Sequence, residues 1–256
     1  MTGVDGAGTA PDAGTASEEI SLDIAGDFPR LKIAMIAYPD LTVLDLVGPQ
    51  AVFSTTSDTY IVARTLDPIL GESGLSILPT TTYDEVPDDL DVLFVPGGRG
   101  ALEAMEDPEL LQFLRDKAET AKWVTAVCSG SLVLGAAGLL NGYRATTHWA
   151  SHEALALFEG VTPVQERVVV DGNRFSGGGV TAGIDFGLTL LAALRGAEIA
   201  QLNQLLMEYD PQPPYNAGSA KTAPPEITAL ARQLFGTYNA AVEAAARRSA
   251  GASIAA

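Results

Sequence analysis

The chain has 256 residues, 47% of them hydrophobic, and carries a formal net charge of −17 from 32 acidic and 15 basic side chains. That length and apolar content suit one large domain with a substantial core, while so acidic a surface disfavours nucleic-acid binding, which needs clustered Lys and Arg against phosphates. The single cysteine excludes an internal disulfide and fits a reducing cytoplasm.

Residues 1–27 are rich in Gly, Ala, Thr and Asp, with no basic residue and no periodic apolar pattern, and read as a disordered acidic tail. No basic region followed by an apolar run marks a signal peptide, and no long uninterrupted apolar stretch reads as a membrane span, so a cytoplasmic location is expected. Residues 28–256 read as one domain. Residues 31–38 are apolar apart from Lys32, as in a strand buried on both faces, and Pro39 ends the run. Residues 44–53 read as a helix with Gly48 and Pro49 near its first turn. Residues 60–63 and 75–78 read as short strands. Residues 91–95 read as a second buried strand running into Pro96-Gly97-Gly98. Asp107-Pro108-Glu109 then opens a helix with a cap, a proline and an acid in order, lasting to about Ala121.

A third buried strand over 123–127 leads into a helix over 129–140, and residues 148–158 read as helical. Residues 164–170 and 173–176 resemble a hairpin around Asp171-Gly172. After Gly177-Gly178-Gly179 a long helix is expected over about 182–207, and a last one over 225–248. Between them, Pro211, Pro213 and Pro214 stiffen an extended arm over about 210–218. Buried strands alternating with helices make this an α/β fold with a mostly parallel central sheet and helices on both faces. The acid excess, with only Lys32, Lys117, Lys122 and Lys221 as lysines, fits adaptation to high salt, where screening relieves self-repulsion. An ordinary acidic cytosolic protein accounts for it as well.

In an open α/β sheet, sites form outside the carboxyl ends of the strands. Three strand-to-helix loops there carry chemistry. Cys128, in Val127-Cys128-Ser129-Gly130-Ser131, sits at a sharp turn like a nucleophile elbow. The following helix would aim amides and its positive dipole end at the sulfur and favour the thiolate. A small buried hydrophobe is the plainer role for a free cysteine. Gly97 and Gly98 allow close backbone approach, and their amides are candidates to stabilise negative charge. A tight turn alone also needs such glycines. Asp45, in Leu44-Asp45-Leu46-Val47, is either a helix cap or a buried carboxyl kept protonated by its apolar setting. His148 and His152 have helical metal-ligand spacing, but no third ligand is evident, and no metal is expected. Asp185 reads as structural, near the start of the long helix.

These residues resemble the ThiJ/PfpI superfamily over about residues 31–245, and within it the isocyanide hydratase branch. The matching motifs are Leu44-Asp45-Leu46-Val47-Gly48-Pro49, Val95-Pro96-Gly97-Gly98, the Cys128 elbow with the helix after it, Ala145-Thr146-Thr147-His148-Trp149, residues 177–186 and Pro213-Pro214-Tyr215-Asn216-Ala217-Gly218. The resemblance implies a flavodoxin-like sandwich and a catalytic group of Cys128 as nucleophile, Asp45 as its acid, and Ser129. Gly97, Gly98, Thr147 and His148 would lie around a small-molecule substrate. It implies hydration of an isocyanide to an N-substituted formamide through a cysteine thioimidate, without cofactor, in a homodimer whose contacts use the arm and the last helix. Ser129 stands where protease-like members carry histidine, and no histidine follows His152, which weighs against peptidase and amidotransferase chemistry. Turnover of small dicarbonyls, or redox sensing by Cys128, uses the same cysteine and stays open.

Overall fold

In the computed structural model, which describes Ile24 and residues 27–254, the apolar run after Arg30 forms β1 (Leu31–Ile36). The tail expected over residues 1–27 lies outside the described residues apart from Ile24 and Asp27. α1 (Val43–Phe53) follows, and β2 (Ser57–Ala63) pairs in parallel with β1. Pro49 is inside α1 rather than in its first turn. Having no N–H, it cannot bond the Asp45 carbonyl one turn back. Its ring instead packs on Gly183, where an added Cβ would come within 3.1 Å of it.

β3 (Ile69–Leu70) and β4 (Ser76–Ile77) form a separate antiparallel ribbon. The segment expected as a sheet strand over 75–78 is this ribbon's second half, with Leu75 and Leu78 exposed. β5 (Thr81–Thr82), too short for any alternation to be read, adds to the edge of β2. β6 (Val92–Val95) is wholly buried and leads to α2 (Ala101–Ala104). The Asp107 side chain caps α3 (Pro108–Ala118) by accepting from the amides of Glu109 and Leu110 at 3.1 and 3.2 Å.

β7 (Trp123–Val127) runs into α4 (Gly130–Ala136), and β8 (Arg144–Ala145) follows. The helix expected over 148–158 is instead a 3-10 turn, Trp149–Ser151, and the single turn α5 (His152–Leu155). β9 (Thr162–Pro163) pairs with β8, while β10 (Val168–Asp171) and β11 (Arg174–Gly177) form the expected hairpin. The long helix expected over 182–207 is two, α6 (Ala182–Arg195) and α7 (Ala197–Leu206), because Gly196 between them adopts φ +90°. Residues 210–222 run exposed without helix or strand before α8 (Pro225–Ile254).

The main sheet has the order β10-β11-β7-β6-β1-β2-β5 and is parallel except for the β10–β11 hairpin. Helices surround it: α1 packs on α6, which packs on α7, while α3 and α8 pack on α4. This is the mostly parallel, flavodoxin-like sandwich. The chain leaves β1 for β2 on one side and returns to β6 on the other, so a crevice opens at the carboxyl ends of β1 and β6. Among the described residues no helix is long and apolar enough to cross a membrane.

Candidate active site

Cys128 joins β7 to α4 with φ +53°, a left-handed conformation that costs a non-glycine residue about 1–3 kcal/mol. Its neighbours hold it there. The Cys128 amide donates to the carbonyls of Gly177 and Gly178 at 3.0 and 2.9 Å, and its carbonyl accepts from Thr147 Oγ1 at 2.8 Å. Gly130 opens α4 flush against the end of β6, where an added Cβ would lie 2.3 Å from the Val95 carbonyl oxygen. The cysteine is therefore displayed at the crevice by backbone constraints on both sides.

Asp45 is the third residue of α1, and its side chain is fully buried. Oδ2 accepts from the Gly97 amide at 3.0 Å, while Oδ1 has no hydrogen-bond partner among the described residues. Gly97 is where the three loops meet. A Cβ added there would lie 2.5 Å from the Ser129 amide nitrogen, 2.7 Å from Cys128 Cβ and 2.8 Å from Asp45 Oδ2. No side chain fits at that position without parting Cys128 from Asp45.

Burial raises the Asp45 carboxyl to about 7, against the opposing pull of its bonds to Cys128 and Gly97. Burial, and after it the Asp45 charge, pushes the Cys128 thiol well up. The amides of Ser129 and Val180 bond to the sulfur and pull the other way, but they do not prevail. The expectation that the helix N-terminus favours the thiolate and lowers its pKa is thus corrected: desolvation and a neighbouring carboxylate outweigh the amides. Asp45 and Cys128 meet at Gly97, each raised above its ordinary value first of all by burial.

The other expected site residues gather here, with particular tasks. Ser129 Oγ donates to the Gly98 carbonyl at 3.0 Å and accepts from the Gly98 amide at 2.9 Å, so its hydroxyl clamps the glycine loop. The Gly97 and Gly98 amides are engaged by Asp45 and Ser129, and the amides that face the sulfur are those of Ser129 and Val180. Thr147 is buried and braces the Cys128 carbonyl. His148 Nδ1 accepts from the Ala150 amide at 3.3 Å, which assigns its proton to Nε2, and burial lowers its pKa. Its spacing partner His152 joins it in no group of three potential metal ligands among the described residues. Asp185 pairs with Arg167 at 2.5 Å and accepts from the Tyr209 hydroxyl at 3.0 Å, away from the cysteine.

The sequence model of the "DJ-1/PfpI family" matches residues 31–193, spanning β1 to α6 and every loop just described. The chain belongs to the DJ-1/PfpI family. It is 50% identical over 205 residues to the isonitrile hydratase of Pseudomonas putida, covering 79% of this chain and 89% of that one. The crystal structure of a ThiJ/PfpI family protein from Pseudomonas syringae superposes with a TM-score of 0.83 at 47% identity, covering 93% of this chain and 97% of that one. A "Deglycase PfpI" of Pyrococcus furiosus is 28% identical over 148 residues, covering 57% of this chain and 89% of that one.

Beyond the family match, α8 closes the site. A cavity of about 260 Å³ over Cys128 is walled by Phe235 and Tyr238 of α8, with Leu234 at its mouth and Glu72 opposite. The Tyr238 hydroxyl donates to the Gly98 carbonyl at 3.1 Å, and burial raises its pKa to about 12. Glu72 accepts from Thr42 Oγ1 at 2.6 Å and from the Arg99 amide at 3.1 Å, tying the start of α1 to the glycine loop. Sequence reasoning missed these residues. The one available signal was the spacing of Phe235 and Tyr238 on one face of the last helix, a pattern that ordinary core packing also produces.

Proposed function

We propose that the protein hydrates isocyanides to N-substituted formamides at Cys128 and Asp45. The observation that carries this reading is a buried cysteine and a buried carboxyl meeting at Gly97, in a small cavity with Ser129 rather than histidine beside the cysteine. The 50% identity to an isonitrile hydratase supports it.

The terminal carbon of an isocyanide must gain a nucleophile and a proton. The Cys128 thiol passes its proton to the Asp45 carboxylate as its sulfur forms a C–S bond to that carbon. Asp45 delivers its proton to the carbon, leaving the thioimidate R–N=CH–S–Cys. Water then adds across the C=N bond, its oxygen to carbon and a proton to nitrogen, with Asp45 as general base. The C–S bond breaks as the C=O bond forms, releasing R–NH–CHO, and the hydroxyl proton returns to the pair. The sum is one isocyanide plus one water. A carboxyl that titrates at about 7 suits both the donating and the accepting step.

The test is purified protein with aryl and alkyl isocyanides, following formamide; turnover by wild type and none by Cys128→Ala is expected. Wild type inactive on all of them overturns the assignment, and methylglyoxal turnover in their place moves it to dicarbonyl chemistry. The proposal includes a homodimer. Ile227, Leu230 and Leu234 form an exposed apolar stripe on α8, with exposures of 49, 53 and 77%. Leu44 and Val47 are exposed on α1, and Tyr215 on the arm. A monomer by light scattering would overturn that part.

A further inference from the structure

A second cavity, of about 470 Å³, adjoins the catalytic one, and His148 and Val180 line both. Its charge runs against that of the chain. Acids outnumber bases 32 to 15 overall, yet this cavity is lined by Arg167, Lys221 and Arg232 and by one acid, Glu166. Arg167 is neutralised by Asp185, and Glu166 faces Arg144 at 3.9 Å. That leaves two cations. Lys221 Nζ donates to the Gln165 carbonyl at 3.0 Å, and the Arg232 guanidinium lies over the Trp149 ring, 5.6 Å from its centroid. Neither belongs to an ion pair among the described residues. The wall between the cavities is aromatic: Phe235 packs on His148 at 5.3 Å and edge-on to Trp149 at 6.1 Å. Arg232 stands one turn before Phe235 on α8, so a single helix turn serves both chambers.

We infer that the substrate is an isocyanide whose far end carries a carboxylate, seated on Arg232 and Lys221 while its isocyano carbon lies at Cys128. This rests on the hydratase reading. The catalytic cavity is at the small end for an organic ligand, which typically fills about 300–1,000 Å³, so a longer substrate must extend past His148 and Val180. There it meets charge-assisted donors, the strongest hydrogen-bonding partners for a carboxylate. The stacked guanidinium is held by its aromatic face, leaving its N–H edge for the ligand.

The experiment uses the formamide product, so that binding is read apart from turnover. ω-Formamidohexanoate and its methyl ester are titrated calorimetrically into wild type and into the Lys221→Gln/Arg232→Gln double variant. The acid is expected to bind wild type about tenfold more tightly than the ester, about 1.4 kcal/mol. The double variant is expected to lose that preference, and added salt to weaken it. In parallel, kcat/KM for ω-isocyanohexanoate should exceed that for its ester, with the difference residing in KM. Equal binding of acid and ester, no binding of either, or a preference that survives the double substitution overturns the inference. Failure of both isocyanides to turn over, with the acid preference in binding intact, overturns only the hydratase chemistry.

Discussion

Replacing Asp45 by asparagine removes the titrating carboxyl and leaves the rest of the site in place. The amide has the size of the carboxylic acid, and its oxygen still accepts from Gly97, but nothing titrates. In the native fold the Asp45 carboxyl titrates at about 7, against an ordinary value of 3.8. Between those values the native protein holds a proton that the unfolded chain has released, so wild-type stability falls as pH rises through that window. At about 1.36 kcal/mol per pH unit, the loss is on the order of 4 kcal/mol above the upper value, and less where Cys128 takes part of the proton. Asp45→Asn lacks this slope, and any cost of burying its amide is the same at every pH. Urea unfolding of both proteins from about pH 4 to about pH 8 should therefore show the variant gaining on wild type by at least ~2 kcal/mol. Removing the Asp45 charge also lets the Cys128 thiol ionise at lower pH, visible in ultraviolet thiolate absorbance, because that charge is the second cause holding it up. Hydration should nonetheless slow by about 10²–10⁴-fold, the usual worth of a positioned proton donor. More nucleophile with less catalysis is the distinguishing result. Parallel stability curves for the two proteins, or wild-type turnover by the variant, would refute the reasoning.

Gly97→Ala places a methyl within 2.8 Å of three groups of the site, so unfolding should show a loss of about 1–3 kcal/mol. Formamide production should fall by about 10²-fold as acid and sulfur are parted. Ser129→Ala leaves the buried Gly98 amide without its acceptor and should cost about 1–3 kcal/mol in denaturant unfolding. A loss of stability smaller than the measurement error would show that the hydroxyl does not clamp the loop. Thr147→Val removes the bond to the Cys128 carbonyl and should lower kcat, measured at saturating isocyanide, by loosening the backbone that presents the sulfur. Melting temperature should rise between about 50 mM and about 2 M salt as self-repulsion is screened, and a flat profile would remove the case for high-salt adaptation.

The buried strands were legible because burial on both faces writes a near-continuous apolar run, broken only by Lys32 in β1 and Thr125 in β7. Asp107 was legible because a cap, a proline and an acid act through neighbours in sequence. The break at Gly196 was not, since a lone glycine is tolerated inside a helix and only its φ of +90° shows that it ends one. The ionisation of Cys128 was misread for a related reason. Helix amides are local and visible in sequence, whereas the burial and the Asp45 charge that outweigh them come from residues 83 positions apart. Gly97 was read as a glycine allowing close approach and offering its amide to negative charge, and only the convergence of three loops shows that its amide serves Asp45.

The residues proposed to react and the helix that roofs them lie on different lengths of chain. Cys128, Asp45 and the glycine loop all fall within residues 31–193, which the family model matches, while Phe235, Tyr238 and Arg232 belong to α8, beyond it. The roof meets the site from outside that match, with Tyr238 anchored on the Gly98 carbonyl and Phe235 on His148. Under the proposed function, grafting α8 segments from relatives onto this sheet, with Tyr238 kept, becomes a direct route to new substrates.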